Sequence, residues 1–216
     1  MSVAFQPLAS KIMLKIALTG GIATGKSNVL DRFRRRDVPC VDADALAHGV
    51  MVSGTEATQA IAARFGPEFL HADGAVDRMK VGSVVFADES ARRDLEAIVH
   101  PAVYRAITAA LRAFALIGGS PLAVVDVPLL YETGHQSEFD RVIVTACPVQ
   151  VQIRRLVGRG LSEADAYLRV AAQLPTDDKA SRADFVIRTD GSFEETDGQV
   201  EQILRTLSPQ PSALSP

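Results

Sequence analysis

The feature that most narrows what this 216-residue chain can become is the stretch IALTGGIATGKSNVL, residues 16–30. Gly20, four residues, and then Gly25-Lys26-Ser27 match the phosphate-loop pattern in full. That loop belongs between a strand and a helix, and the flanking residues supply both. Residues 14–19, LKIALT, are a mostly apolar run that suits a buried parallel strand. A helix is predicted from about 25 to 36, with Val29, Leu30 and Phe33 on one side. Glycines let backbone N–H groups turn toward a phosphate with no side chain in the way. The helix N-terminus adds partial positive charge. Lys26 is placed to reach the terminal phosphates, and the Ser27 hydroxyl can bind Mg²⁺. The loop reads as a seat for a nucleoside triphosphate.

The rest of the chain alternates between strand and helix patterns. VPCVDAD (38–44) reads as a second strand ending in two acids. Short helices are predicted over 55–65 and 78–86, and a long one over about 90–116, where Pro101 should kink or split it. LAVVDVPLL (122–130) and FDRVIVTA (139–146) read as strands, followed by helices at about 148–158 and 162–174. Ser162 and Asp165 form a capping box for the second of these. ADFVIRT (183–189) is a last strand and 193–207 a last helix. Such alternation implies a parallel sheet covered on both faces. The purely helical stretch between the second and third strands reads as an inserted lobe, and so does the helix pair near 150–174.

Composition excludes several classes. Hydrophobic residues make up 47% and charged residues 23%, the balance of a globular protein. A net charge of −3 argues against general affinity for nucleic acid or anionic membranes. No apolar run reaches the roughly 18 residues that span a bilayer. Cys40 and Cys147 lie in or near apolar runs without metal-ligand spacing, which suits two buried thiols in a reducing cytoplasm. Residues 1–12 make a poor signal peptide and read as an extension ahead of Met13, and the Pro/Ser-rich tail 208–216 is expected to be disordered.

Phosphate loops serve motors, switches, pumps and kinases alike. The chain lacks the Asn-Lys-x-Asp segment of guanine switches. Helical lobes inserted between strands suit transfer to a small acceptor, because they can close and exclude water. Asp42 and Asp44 end the second strand, on the sheet edge where ligands sit. Each is either a carboxylate that accepts or orients an attacking hydroxyl, or a turn residue and helix cap. Asp126 either holds Mg²⁺ through water or caps the turn after its strand. Gln152, Arg155 and Arg159 share a helix face, either solvated or aimed at charge developing on phosphate. Asp165, Arg169 and Gln173 share a face on the next helix, so that the pair forms a lid. Arg78, after Asp77, is suited to a substrate phosphate, while His48 and His100 read as packed or capping residues or as part of the site.

Together, LTGGIATGKS, VDADALAH, DGAVDR, VHP, VPLLYE, the Gln152…Arg154-Arg155…Arg159 helix and AAQ…ADFVI resemble the dephospho-CoA kinase family over roughly residues 13–207. The resemblance implies transfer of the γ-phosphoryl of MgATP to the ribose 3′-hydroxyl of dephospho-CoA. It also implies a P-loop kinase α/β fold with a parallel five-stranded sheet. The nucleotide core would comprise about 13–44, 118–148 and 183–207, the helical substrate lobe about 45–117, and the lid about 149–180. Asp44 matches the family's base and Arg155 a lid arginine important to the reaction. Gly21, Ile22, Ala23, Thr24, Gly25, Lys26, Ser27 and Asn28 match the ATP loop, with Arg159 assisting. Asp42, His48, Asp77, Arg78, His100, Pro128 and Leu129 match the acceptor side, and Ser27 and Asp126 the metal side. A cytoplasmic monomer or weak homo-oligomer, with no nucleic-acid or membrane partner, is expected. Two residues depart from the family loop. Ala23 stands where a glycine is usual and is strained if that position needs φ > 0, and Asn28 replaces a threonine. Altered ATP affinity is the expected consequence. The competing readings are a related kinase of nucleosides or nucleotides, and a regulator that holds ATP without transferring it.

Overall fold

The computed structural model describes residues 13–208, so the expected extension 1–12 and the tail beyond Ser208 lie outside the described residues. Five parallel strands, β1 (Leu14–Gly20), β2 (Cys40–Asp42), β3 (Leu122–Asp126), β4 (Arg141–Ala146) and β5 (Phe185–Arg188), form one sheet in the order β2-β3-β1-β4-β5. Successive side chains of a strand point to opposite faces, so each buried run feeds two cores. On one face Ile16, Leu18, Leu122, Val124, Ile143 and Ile187 pack with Val29, Leu30 and Phe33 of α1 (Lys26–Arg34) and with Val200 and Ile203 of α9 (Phe193–Leu207). On the other, Ala17, Val41, Ala123, Val125 and Val144 pack with Ala43 of α2 (Ala43–Gly49) and with Val103, Ile107 and Leu111 of α5 (Glu89–Ile117).

Register then sets the functional edge. Asp42, Asp126 and Leu18 are aligned across β2, β3 and β1, and Gly20 aligns with Thr145 of β4. Both acid-bearing strands therefore end beside the phosphate loop. Gly20 permits a close approach there, since a Cβ at that position would lie 2.6 Å from the Thr145 carbonyl.

Between β2 and β3 the chain is helical, comprising α2, α3 (Glu56–Phe65), α4 (Arg78–Ala87) and α5. The sequence suggested a kink or a split at Pro101, and helix α5 is not split but runs unbroken through it. Its apolar stripe Val99, Val103, Ile107 and Leu111 packs on the sheet on both sides of the proline, and this contact outweighs one lost rung. β3 is also shorter than the apolar run implied. It stops at Asp126, and residues 127–134 turn back over the edge.

After β4 come α6 (Val149–Val157), α7 (Glu163–Ala171) and α8 (Thr176–Ser181). Ser162 caps α7 by accepting the Asp165 N–H, and its hydroxyl donates to the Asp165 carboxylate at 2.6 Å. Helix α8 buries Lys179 completely, with Nζ 2.6 Å from Glu132 Oε1. The Leu174 N–H also donates to that oxygen, at 3.2 Å. Cys147 is buried and Cys40 only half-buried. Both are free, and burial pushes the Cys40 thiol up to about 12. Among the described residues no helix is long and apolar enough to cross a membrane.

Candidate active site

A cavity of about 510 Å³ opens over the phosphate loop, lined by residues 20–28 with Asp31, Asp44, Pro128, Arg159 and Gln173. The loop's shape follows from two left-handed residues, Ala23 at φ 60° and Gly25 at φ 89°. Gly25 is the N-cap of α1 and carries no side-chain cap, so the first-turn N–H groups of that helix stay free for an anion. Behind the loop a set of buried hydroxyls fixes its carbonyls. Thr24 Oγ1 donates to Gly21 O at 2.7 Å and lies 2.7 Å from Thr145 Oγ1, and Thr189 Oγ1 donates to Thr24 O at 2.6 Å.

Ala23 thus sits where a β-carbon is strained, as its departure from glycine suggested. The left-handed conformation costs a non-glycine residue about 1 kcal/mol or more. The methyl is compensated by packing on Ile153, Leu156 and Ala166 of the α6–α7 pair. Burial of one such group is worth about 0.8 kcal/mol, and glycine's freer unfolded chain offsets the relief of strain. Ala23→Gly is therefore expected to shift unfolding free energy by less than about 1 kcal/mol, read by urea denaturation. A loss above 2 kcal/mol would mean that the methyl anchors the helix pair more firmly than its area implies. Asn28 Oδ1 accepts a hydrogen bond from the Arg32 guanidinium one turn on, leaving the amide N–H groups as its donor face.

The two acids after β2 separate. Asp42 is the N-cap of α2, accepting the Ala45 N–H at 3.0 Å. Asp44, on the first turn of α2, is exposed and lines the phosphate cavity. It also lines a second, mainly apolar cavity of about 210 Å³ with Val99, His100, Val103, Tyr104, Pro128 and Leu129. His100 is half-buried in that wall, and burial lowers its pKa. His48 is exposed on the last turn of α2, four residues beyond Asp44.

Asp126 is 7% exposed, with Oδ1 3.7 Å from Lys26 Nζ and no hydrogen-bond partner. Burial raises its pKa to about 6, Lys26 opposes the rise, and Asp42 and Asp44 add to it. Its side chain accepts no backbone N–H among the described residues, so it does not cap the following turn. An orphaned, buried carboxylate oxygen beside Lys26 fits a cation held through water. Among the described residues no three His, Cys, Asp or Glu groups form a ready shell. Mg²⁺ commonly takes one or two carboxylates plus phosphate oxygens and water. Ser27 and Asp126 suit that mode.

The basic helix divides its labour in a way the pattern did not reveal. Arg159 reaches the phosphate cavity and has no acid partner among the described residues. Arg155, expected at the transferring phosphate, instead donates to Ala23 O at 3.0 Å and to Thr189 O at 2.5 Å. A guanidinium fork suits two carbonyls at once, and here they belong to the loop and to the turn after β5. Gln152 Nε2 donates to Ile22 O at 2.8 Å, and Gln173 Oε1 accepts the Ile22 N–H at 2.7 Å. Asp77 caps α4 and is held below the usual carboxylate range, first by the Lys80 N–H. Neither it nor exposed Arg78 lines either cavity. The Lys179–Glu132 pair, Thr189 and Gln173's bond to the loop had no signal as strong as the glycines. Thr189, directly after a strand at the ligand edge, was findable by the rule that pointed to Asp42 and Asp44.

A parallel five-stranded sheet carrying this loop, with acids at the ends of β3 and β2 and with helical insertions, defines a phosphate-loop kinase. Its backbone is similar to shikimate kinase from Acinetobacter baumannii in fold alone, with a TM-score of 0.51, 16% identity, and 92% and 95% of the two chains covered. The dephospho-CoA kinase family model matches residues 14–195. The chain is 50% identical to dephospho-CoA kinase of Anaeromyxobacter dehalogenans, over 90% of this chain and 92% of that one. It is 43% identical to that of Geobacillus kaustophilus, over 89% and 96%. A solved structure, TT1252 from Thermus thermophilus, has a TM-score of 0.77 at 31% identity, covering 91% and 99%. The chain belongs to the dephospho-CoA kinase family.

Proposed function

We propose that this protein transfers the γ-phosphoryl group of MgATP to the 3′-hydroxyl of dephospho-CoA, giving CoA and ADP. The observation that carries this reading is the position of Asp44, which lines both the phosphate cavity and the apolar cavity beside it. One carboxylate therefore borders the donor and the acceptor spaces.

The free N–H groups of the loop and Lys26 hold the phosphates of ATP. Ser27, and Asp126 through water, would hold Mg²⁺, which would supply neutralising charge to the phosphate oxygens. Asp42 caps α2 and so fixes Asp44, which accepts the proton of the attacking hydroxyl. The adenosine end of the acceptor enters the apolar cavity against His100, Pro128 and Leu129. His48, Asp77 and Arg78 meet the remainder along the lobe of residues 45–117. Arg159 faces the charge that moves between donor and acceptor, and Arg155 holds the loop from behind. Residues 149–180 act as the lid. The two free thiols and the need for ATP suit a cytoplasmic enzyme, working as a monomer or weak homo-oligomer.

Incubation with MgATP and dephospho-CoA, followed by chromatography, should yield CoA and ADP in equal amounts. Consumption of a nucleoside or nucleotide with dephospho-CoA left intact would overturn the assignment.

A further inference from the structure

The lid grips the phosphate loop through the loop's own backbone. The peptide of Ile22 is held from both sides, its carbonyl by Gln152 Nε2 and its N–H by Gln173 Oε1. Arg155 holds the next carbonyl, that of Ala23. Ile22 and Ala23 also pack with Ile153, Leu156, Leu161, Ala166 and Val170. The loop apex is therefore a hydrogen-bonded and apolar socket for α6 and α7.

This socket fixes the orientation of Gln173. An N–H donor can be met only by the carbonyl oxygen of the amide, so the Ile22 contact settles which end of the side chain is which. Nε2 then points away from Ile22, and among the described residues it has no acceptor. Gln173 lines the phosphate cavity together with Lys26, Asp44, Pro128 and Arg159. Asp44 marks the end of that cavity where the phosphoryl group leaves for the acceptor. Asn28 and Asp31, on α1, line the cavity as well.

We propose that Gln173 contacts the γ-phosphoryl group directly, its Nε2 donating to a γ-oxygen while the Ile22 N–H holds its Oε1. The inference rests on ATP occupying the cradle as described above. The far end of the lid then reads the third phosphate. ADP, which lacks it, leaves Nε2 unpaired.

The test compares nucleotide affinities, measured by titration calorimetry with Mg²⁺ and no acceptor. Gln173→Glu keeps an oxygen for the Ile22 N–H but removes the donor and places charge opposite the phosphate. Gln173→Met removes the donor without adding charge. A hydrogen bond to a charged oxygen supports on the order of tenfold or more in affinity. Gln173→Glu should weaken ATP at least about tenfold and ADP less than about threefold, with the unliganded unfolding temperature unchanged. Gln173→Met should shift the ATP-to-ADP ratio the same way by about fivefold. If Gln173 served only to pin the loop, Gln173→Glu would bind ATP as the wild type does, or ATP and ADP would weaken by one factor in both variants. Either result overturns the proposal. No acceptor is present, so a failure of dephospho-CoA as substrate leaves this comparison decisive for Gln173.

Discussion

Asp44→Asn is expected to lower kcat by about 10³-fold while the dissociation constant for MgATP changes less than about threefold. General-base assistance is commonly worth 10²–10⁴ in rate, and an amide cannot take the proton that the acceptor hydroxyl releases. The substitution changes almost nothing else. Asp44 is exposed on the first turn of α2 and makes no ion pair among the described residues, and the cap of that helix belongs to Asp42. The variant should unfold with the wild type, with at most a few tenths of a kcal/mol lost from the interaction of an acid with the helix N-terminus. Burst and steady-state rates with dephospho-CoA, set beside calorimetric MgATP binding, separate the possibilities. Full activity would reduce Asp44 to a surface acid and revive the reading of a protein that holds ATP without transferring it. A parallel loss of ATP binding would instead make it part of the phosphate seat.

The contrast between Asp42 and Asp44 shows where sequence reasoning runs out. Asp42 ends β2 and Asp44 lies two residues beyond it, and an aspartate serves equally as a base or as a cap. Only the turn of the chain, which puts Ala45 N–H on Asp42 Oδ1, divides the roles. The phosphate loop and the sheet were legible because glycine spacing and apolar runs are local signals. The face shared by Gln152 and Arg155 was legible as well, because helical period sets a face, whereas Arg159 lies in the turn after α6 ends at Val157. What that face meets is set by tertiary packing, and both Gln152 and Arg155 serve the loop backbone. Helix α8 was missed for a related reason. Its sequence TDDKAS looks like a polar turn, and its one buried charge, Lys179, is stabilised by Glu132 more than forty residues away. Ala23 is the reverse case. One residue out of place in a familiar loop pointed to a positive φ, and the backbone has one there.

The other large effect concerns Asp126, where stability and activity are expected to move in opposite directions. Its folded pKa, about 6, lies above the roughly 3.9 of an unfolded aspartate. The native state thus binds this proton more tightly than the unfolded chain does. That preference contributes stability in full below about pH 4 and is lost as pH rises through about 6. At pH 8 the buried carboxylate is ionised at a cost on the order of 2–3 kcal/mol, since one unit of pKa corresponds to about 1.4 kcal/mol. Asparagine keeps the shape and drops the charge. Asp126→Asn should therefore be more stable than the wild type by about 2 kcal/mol at pH 8, with the gap closing as pH falls toward 4. Lys26, close to Asp126 but partly open to solvent, limits the penalty for losing its partner. If Asp126 steadies Mg²⁺ as proposed, activity should fall by about 10²–10³. The wild type should lose MgATP affinity below about pH 6 as Asp126 takes up its proton. Denaturant titrations at pH 4.5 and 8, with kcat/KM for MgATP across that range, check each part. A variant that is active and no more stable at pH 8 would make Asp126 a bystander. Stability gained together with activity lost identifies a charge the fold tolerates only because the reaction requires it.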